Sequence, residues 1–346
     1  MKPKIALVTG INGQDGAYLT KLLLKKKYKV FGLIRRSSTF KLKRLEYLGV
    51  RDKINFIHGE LNEFQHISNL VKEIRPNLIF NLAAQSFVQY SFENPSYTFD
   101  INCNSVLNFL ETIRRNNLDT KFYQASTSEM YGNPLKKFQD EKTNFSPDSP
   151  YAISKLAAHN LVRNYRESFG NFLTTGILFN HESFLRGIEF VTKKIIFGLV
   201  SIKHGSKKPL ELGNIYSKRD WGHAEDYVNA IYKIINAKKA SDFVVATGET
   251  HTVKQFLDVS ARGLGFQPDF VEIKNDIKCF DKKTGQLLAK MNKKYLRYKD
   301  LTYLRGNPKK ITKELKWKPK YFFYSLIEDM LRKEDENFRS GLKFTF

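Results

Sequence analysis

Short apolar runs alternate with amphipathic stretches through the first half of the chain. Residues 4–9 (KIALVT) read as a strand buried on both faces, and Gly10 opens a turn. A helix is predicted from about Asp15 to Lys27, then a strand over 29–34. Further strands are predicted at 54–57 (INFI), 78–82 (LIFNL), 121–126 (KFYQAS) and 173–178 (LTTGIL). Helical spacing of apolar positions over Ile67–Ile74 and Ile101–Arg115 falls between them. Continuous apolar strands that alternate with helices predict an α/β fold, a Rossmann-type doubly wound parallel sheet covered on both faces. Such a sheet binds ligands at the carboxyl ends of its strands.

Beyond about residue 180 the alternation breaks down. Long loops are predicted around 181–190, 203–222 and 273–308, with strand and helix signals at Phe243–Ala246 and Val253–Arg262. This predicts a smaller, discontinuous C-terminal lobe. Residues 1–180 are expected to form the dinucleotide-binding domain, and 181–346 mainly the substrate lobe, with about 215–250 returning to the first domain. The basic stretch 274–300 is expected to form a mobile loop.

Composition narrows the classes. Of 346 residues, 41% are apolar, enough for a sizeable core. The two cysteines, Cys103 and Cys279, lack metal-like spacing and suit a reducing compartment. No metal site is expected. No apolar run approaches the roughly 18 residues of a membrane span, and the N-terminal apolar stretch is short for a signal peptide. A cytoplasmic protein is expected, with no membrane partner. The balance of 58 Lys+Arg against 35 Asp+Glu gives +23. These lysines are dispersed, as in Lys25-Lys26-Lys27 and Lys207-Lys208, so no nucleic-acid partner is expected, and an anionic dinucleotide with a nucleotide substrate accounts for the charge.

TGINGQDG sets Gly10, Gly13 and Gly16 between a predicted strand and a predicted helix. Glycines there let the backbone turn tightly and approach a pyrophosphate at the helix N-terminus; the alternative is a purely structural turn. An NAD site usually has a carboxylate about 20 residues on. Here Leu33-Ile34 leads into Arg35-Arg36-Ser37-Ser38. Two guanidiniums can clasp a 2′-phosphate, which points to NADP, with a solvated basic loop as the alternative.

Ser149-Pro150-Tyr151 reads as a helix start, Ser149 capping and Pro150 in the first turn. Tyr151 and Lys155 then share one helical face, where an ammonium favours the phenolate and lets the tyrosine act as a base. Ser126-Thr127-Ser128-Glu129 follows the strand KFYQAS, offering hydroxyls and one acid/base carboxylate. Alone, that run would equally suit a polar turn.

TGINGQDGAYL, RRSSTF, NLAAQS, ASTSEMYG, SPYAISK, GILFNHES, RGIEFVTKKI and KRDWGHAEDYV together resemble the GDP-mannose 4,6-dehydratases, a branch of the extended short-chain dehydrogenases. The resemblance runs from residue 5 to about 235 and resumes at 242–249 and 315–319. It implies that Tyr151, aided by Lys155, takes the O4 proton while the C4 hydride passes to NADP. Glu129 then removes the C5 proton and protonates the departing 6-hydroxyl, with Thr127 at O4 and Ser128 near the leaving group. It assigns Asn12, Gln14, Asp15, Glu60, Leu61, Leu82, Ala83, Ala84, His181 and Arg186 to the cofactor, beside Gly10, Gly13, Gly16, Arg35 and Arg36, and gives Tyr151 and Lys155 a cofactor contact as well. To the substrate it assigns Ser86, Asn180 and Arg219 (the last two at the diphosphate), Lys193 near the guanine, and Arg297 and Asp300 near the ribose. For Arg219 the alternative is a surface ion pair with Asp220. The RRSS loop would reach a neighbouring subunit's cofactor, implying a homodimer or homotetramer.

Three departures stand out. Phe87 replaces a histidine, Ser183-Phe184-Leu185-Arg186 replaces S-P-R-R, and Arg297-Tyr298-Lys299-Asp300 replaces R-P-x-E. The lost donors leave GDP-manno-heptose open as an alternative sugar. An epimerase or 4-ketoreductase would need Tyr151 and Lys155 but not Glu129, and a silent NADP-binding regulator would need none of the three.

Overall fold

A computed structural model describes residues 3–38, 41–134, 136–273, 276–296, 300–341, 344 and 346. The first half runs β1 (Ile5–Thr9), α1 (Gln14–Lys25), β2 (Lys29–Ile34), α2 (Lys43–Tyr47), β3 (Asn55–His58), α3 (Phe64–Ile74) and β4 (Leu78–Asn81). It continues through α4 (Val88–Glu93), α5 (Pro95–Phe99), α6 (Ser105–Arg115), β5 (Lys121–Thr127), α7 (Pro150–Phe169) and β6 (Leu173–Leu178). The second half comprises β7 (Asn180–Glu182), α8 (Val191–Lys203), β8 (Leu210–Leu212), β9 (Lys218–Arg219), β10 (Trp221–His223), α9 (Ala224–Ile235) and β11 (Asp242–Val245). After it come β12 (His251–Thr252), α10 (Val253–Gly263), β13 (Pro268–Ile273), β14 (Asp276–Asp281), β15 (Leu287–Met291), α11 (Lys309–Leu315) and α12 (Phe323–Arg339).

Seven strands form one sheet in the order β3-β2-β1-β4-β5-β6-β11, every pairing parallel. The doubly wound sheet expected from the alternation is therefore present. Its strands are apolar throughout because both faces are covered. Ala6 and Val8 pack in one cluster with residues of α1 and α9, whereas Leu7 between them joins α3, α6 and α7 on the other face. Strand order reverses between β1 and β4, and the crevice at their carboxyl ends is where such folds take a ligand.

Two sequence expectations need correction. The stretch 273–308 is not one long loop: β14 and β15 pair antiparallel, and with β13 and β8 they build a second, four-stranded sheet. Lysine richness hid these strands: β14 buries the alternate side chains Ile277 and Cys279, and β15 only the adjacent pair Leu288 and Ala289, against α8, α10 and α12. Residues 274–275 and 297–299 lie outside the described set. The helix expected over Ile101–Arg115 opens with a π-turn, Asp100–Asn104, before α6 begins. Among the described residues no helix is long and apolar enough to cross a membrane, and no group of His, Cys, Asp or Glu is placed to hold a metal.

Candidate active site

At the carboxyl ends of β1, β2 and β4 lies a cleft of about 840 Å³. Its walls include Gly10, Asn12, Gly13, Arg35, Arg36, Glu60, Leu61, Leu82, Ala83 and Ala84. The glycine turn is sterically obligatory. Gly10 has φ +65°, and a Cβ there would lie 2.8 Å from the Ala83 nitrogen; one on Gly16 would lie 2.3 Å from the Gly10 carbonyl oxygen. Gly13 caps α1 without a side chain, which leaves first-turn N–H groups for a ligand anion. With Arg35 and Arg36 also in the lining, these residues suit a nicotinamide dinucleotide. Arg35 also donates from Nη1 to the Tyr97 hydroxyl at 2.9 Å.

Four of the residues assigned to the cofactor do not line that cleft but brace it. Asp15 pairs with His181 (Oδ2 to Nε2, 2.8 Å), whose Nδ1 meets the Phe179 carbonyl at 2.8 Å. Gln14 donates to the His181 carbonyl at 3.1 Å and accepts from Ser183 Oγ at 2.7 Å. Burial opposes charge here, yet the His181 ring and the Arg186 guanidinium hold the Asp15 carboxyl below its usual value. The His181 imidazole, though desolvated, is raised by Asp15. The start of α1 is thus tied to β7. Arg186 stacks over the Phe190 ring at 3.5 Å and lies 3.1 Å from Glu182.

The reactive groups converge from two elements. β5 ends at Thr127, and the 3-10 turn Ser128–Tyr131 follows. Ser149 Oγ accepts from the Ala152 N–H at 3.1 Å, so α7 starts where the sequence indicated, with Pro150 in its first turn. Thr127 joins the two segments: its Oγ1 accepts from the Glu129 N–H at 3.2 Å, and its side chain lies near enough to the Tyr151 phenol to favour the phenolate. Tyr151, Lys155 and Ser128 are buried. Burial pushes the Tyr151 phenol up to about 12, with Thr127 opposing and the Glu129 charge reinforcing the rise. Burial also pulls Lys155 down to about 8. The expected acidification of the phenol is therefore outweighed in the bare protein, because desolvation penalises both charges.

A second cavity, about 230 Å³, adjoins the first and is lined by Ser86, Glu129, Asn180, Arg219 and Asp300 among others. Ser86 and Phe87 line both spaces, so the two clefts meet there. Arg219 faces Asp300 (Nη2 to Oδ1, 3.5 Å), not Asp220, and Ser217 Oγ donates to the other Asp300 oxygen at 2.8 Å. Asp220 is buried and satisfied elsewhere, accepting from Thr247, Gly248 and Gly306; desolvation still raises it to about 6.

Lys193 requires a correction. It is fully buried, paired with Glu334 and donating to the Phe184 carbonyl at 2.8 Å, so it does not reach the cavity. One step along α8, about 100° around the axis, Lys194 lines it and sits 3.5 Å over the Tyr295 ring. Phe184 and Leu185 are core residues and do not line the cavity; the departures that face it are Phe87 and Asp300. Arg297 lies outside the described residues.

Sequence reasoning also missed Asn102, inside the π-turn. Its Oδ1 accepts from the Gln85 N–H (2.8 Å), and its Nδ2 reaches the Gln85 carbonyl and Ser154 Oγ, both at 3.1 Å. It fixes the Ser86 loop against the helix that carries Lys155. An asparagine within a helical pattern, where it competes with the backbone, was the available signal.

The family described as GDP-mannose 4,6 dehydratase matches residues 7–330. A GDP-mannose 4,6 dehydratase of Arabidopsis thaliana is 44% identical over 97% of this chain and 91% of its own. One of Drosophila melanogaster is 40% identical, over 98% and 88%. A dTDP-glucose 4,6-dehydratase from Bacillus anthracis, solved with NAD, superposes with a TM-score of 0.79 at 21% identity, covering 98% of this chain and all of that one. A match spanning both the dinucleotide cleft and the lobe with the second cavity leaves one assignment: the chain belongs to the GDP-mannose 4,6-dehydratase family.

Proposed function

We propose that this protein is an NADP-dependent lyase that converts GDP-mannose to GDP-4-keto-6-deoxymannose. The observation that carries the reading is the junction at Thr127, where the Tyr151 phenol feels the charge of Glu129, a residue that lines the second cavity. Arg35 and Arg36 on the cofactor cleft support NADP over NAD, since a 2′-phosphate needs cations there.

In this reading the glycine turn and α1 hold the pyrophosphate, and Arg219 and Asn180 hold the sugar diphosphate. NADP held in the dinucleotide cleft would supply reversible hydride transfer at C4 and C6, so no net oxidation would occur. Tyr151 Oη takes the O4 proton, and Lys155 and Thr127 orient the phenol. The resulting 4-ketone acidifies C5–H, which Glu129 removes. Glu129 delivers that proton to the 6-hydroxyl, and the C6–O bond breaks as water leaves. A proton equivalent to the one taken from O4 enters at C5 as C6 is reduced. Phe87 places an apolar side chain on the wall that the two clefts share.

The RRSS loop is exposed at the cleft mouth, which supports a homodimer or homotetramer with this loop near a neighbouring cofactor. Both cysteines are free and buried, in keeping with work in the cytoplasm. The decisive test is Glu129→Gln incubated with GDP-mannose. Loss of one water by mass should slow about 10²–10⁴-fold, with NADPH affinity unchanged. Normal dehydration by this variant would end the reading.

A further inference from the structure

Segment 300–306 connects three parts of the molecule that must act together. At its start, Asp300 faces Arg219 and Ser217 in the second cavity. In its middle, the Thr302 carbonyl accepts from the Lys218 N–H (2.9 Å), and the Leu304 N–H donates to the Lys218 carbonyl (3.2 Å), the residue next to Arg219. At its end, Gly306 donates to the buried Asp220 at 3.2 Å. On this side the segment is held by Ser217 to Asp220, the stretch that includes β9.

Its other side belongs to the catalytic turn. Leu301 and Leu304 are buried in one cluster with Met130 and Tyr131, the two residues after Glu129. Asn133 completes the link. Its Oδ1 accepts from both the Thr302 N–H (2.8 Å) and the Thr302 hydroxyl (3.1 Å). Its Nδ2 meets Asp148 Oδ2 at 3.4 Å, one residue before the cap of the helix that carries Tyr151. Between Asn133 and Glu129 the backbone has little slack. Gly132 sits at φ +62° with its N–H bonded to the Glu129 carbonyl, and the Ser146 N–H bonds the Met130 carbonyl.

We propose that Asn133 is a positioning residue that ties the nucleotide-binding segment 300–306 to both catalytic groups. Seating of the substrate diphosphate and ribose against Arg219 and Asp300 fixes the segment. Through Thr302 and Asn133 this sets the Glu129 carboxylate and the start of the Tyr151 helix. Binding at the nucleotide end thereby orients acid and base at the sugar end. The proposal rests on Glu129 acting at C5 and O6.

The test compares Asn133→Ala, Thr302→Val and Glu129→Gln with the parent protein. Asn133→Ala should lower kcat about tenfold, since small misplacements of a catalytic group cost this much or more. KM for GDP-mannose and calorimetric GDP affinity should stay within about twofold. Thr302→Val, which keeps the backbone donor and loses the hydroxyl, should fall between Asn133→Ala and the parent. A merely structural asparagine would lower the melting temperature and leave kcat per folded site unchanged, and that result overturns the proposal. So does a parallel loss of GDP affinity. If Glu129→Gln is inactive while Asn133→Ala turns over normally, only this inference fails; if Glu129→Gln is itself active, the assignment of the carboxylate fails first.

Discussion

The two clefts that meet at Ser86 and Phe87 are built in opposite ways. The dinucleotide cleft rests on a turn encoded in eight consecutive residues, TGINGQDG, whose backbone admits little variation because Gly10 and Gly16 are in steric contact with it. The second cavity draws on residues from Ser86 to Asp300, carried by loops, two 3-10 turns, four short strands (β7 to β10) and three helices (α4, α8 and α10). One is rigid through local backbone geometry, the other through long-range side-chain bonds such as those of Asp220. A single atom should therefore disable the first, whereas the second should degrade in steps.

Gly16→Ala should have the largest effect on cofactor affinity. The new Cβ would meet the Gly10 carbonyl oxygen at 2.3 Å and Ile11 Cα at 2.5 Å, both backbone, so no side chain can yield. Overpacking of this kind costs on the order of 1–3 kcal/mol. The strain falls on the phosphate-binding turn itself, so NADPH affinity, read by fluorescence titration, should drop about hundredfold, counting 1.4 kcal/mol per decade. Unchanged affinity would mean that the turn is not rigid.

The same contrast decides what could be read from the sequence. The parallel sheet, α1 and α7 were legible because each follows from neighbours in the chain: continuous apolar strands, a glycine turn, a Ser-Pro helix start. The hairpin β14–β15 was not, since Lys278 masks the two-residue alternation of β14 and β15 buries only an adjacent pair. Lys193 and Lys194 could not be told apart by type, because which side of α8 faces the core depends on Glu334, far along the chain. The bracing role of Asp15 and His181 was equally hidden, because it requires β7 to lie beside α1.

pH probes the junction between the clefts. Lys155 is drawn down to about 8 by burial, so its ammonium is lost as pH climbs through that value. If that charge supports the Tyr151 phenolate, kcat/KM, which reports the free enzyme, should fall about tenfold per pH unit above about 8. Lys155→Arg keeps a cation to far higher pH, so its residual activity should lack this alkaline limb. A profile flat to pH 10 in the parent protein would separate Lys155 from the proton transfer.

The smallest effect on substrate binding comes from two adjacent lysines with opposite surroundings. Lys194 is half-buried at the cavity edge, over Tyr295. Lys194→Ala should raise KM for GDP-mannose about fivefold, the worth of roughly 1 kcal/mol for a partly solvated charge contact, and leave the melting temperature unchanged. Lys193→Met should do the reverse. It strands Glu334, whose carboxyl burial already raises, inside the lobe. Breaking one partner of a buried pair costs about 3–5 kcal/mol of stability, while KM should stay within twofold of the parent value. Adding Glu334→Leu to Lys193→Met should recover most of the lost melting temperature, since the uncompensated charge is gone. If Lys193→Met instead raises KM in a protein of normal stability, the guanine contact belongs to Lys193 and α8 is rotated from the position described above.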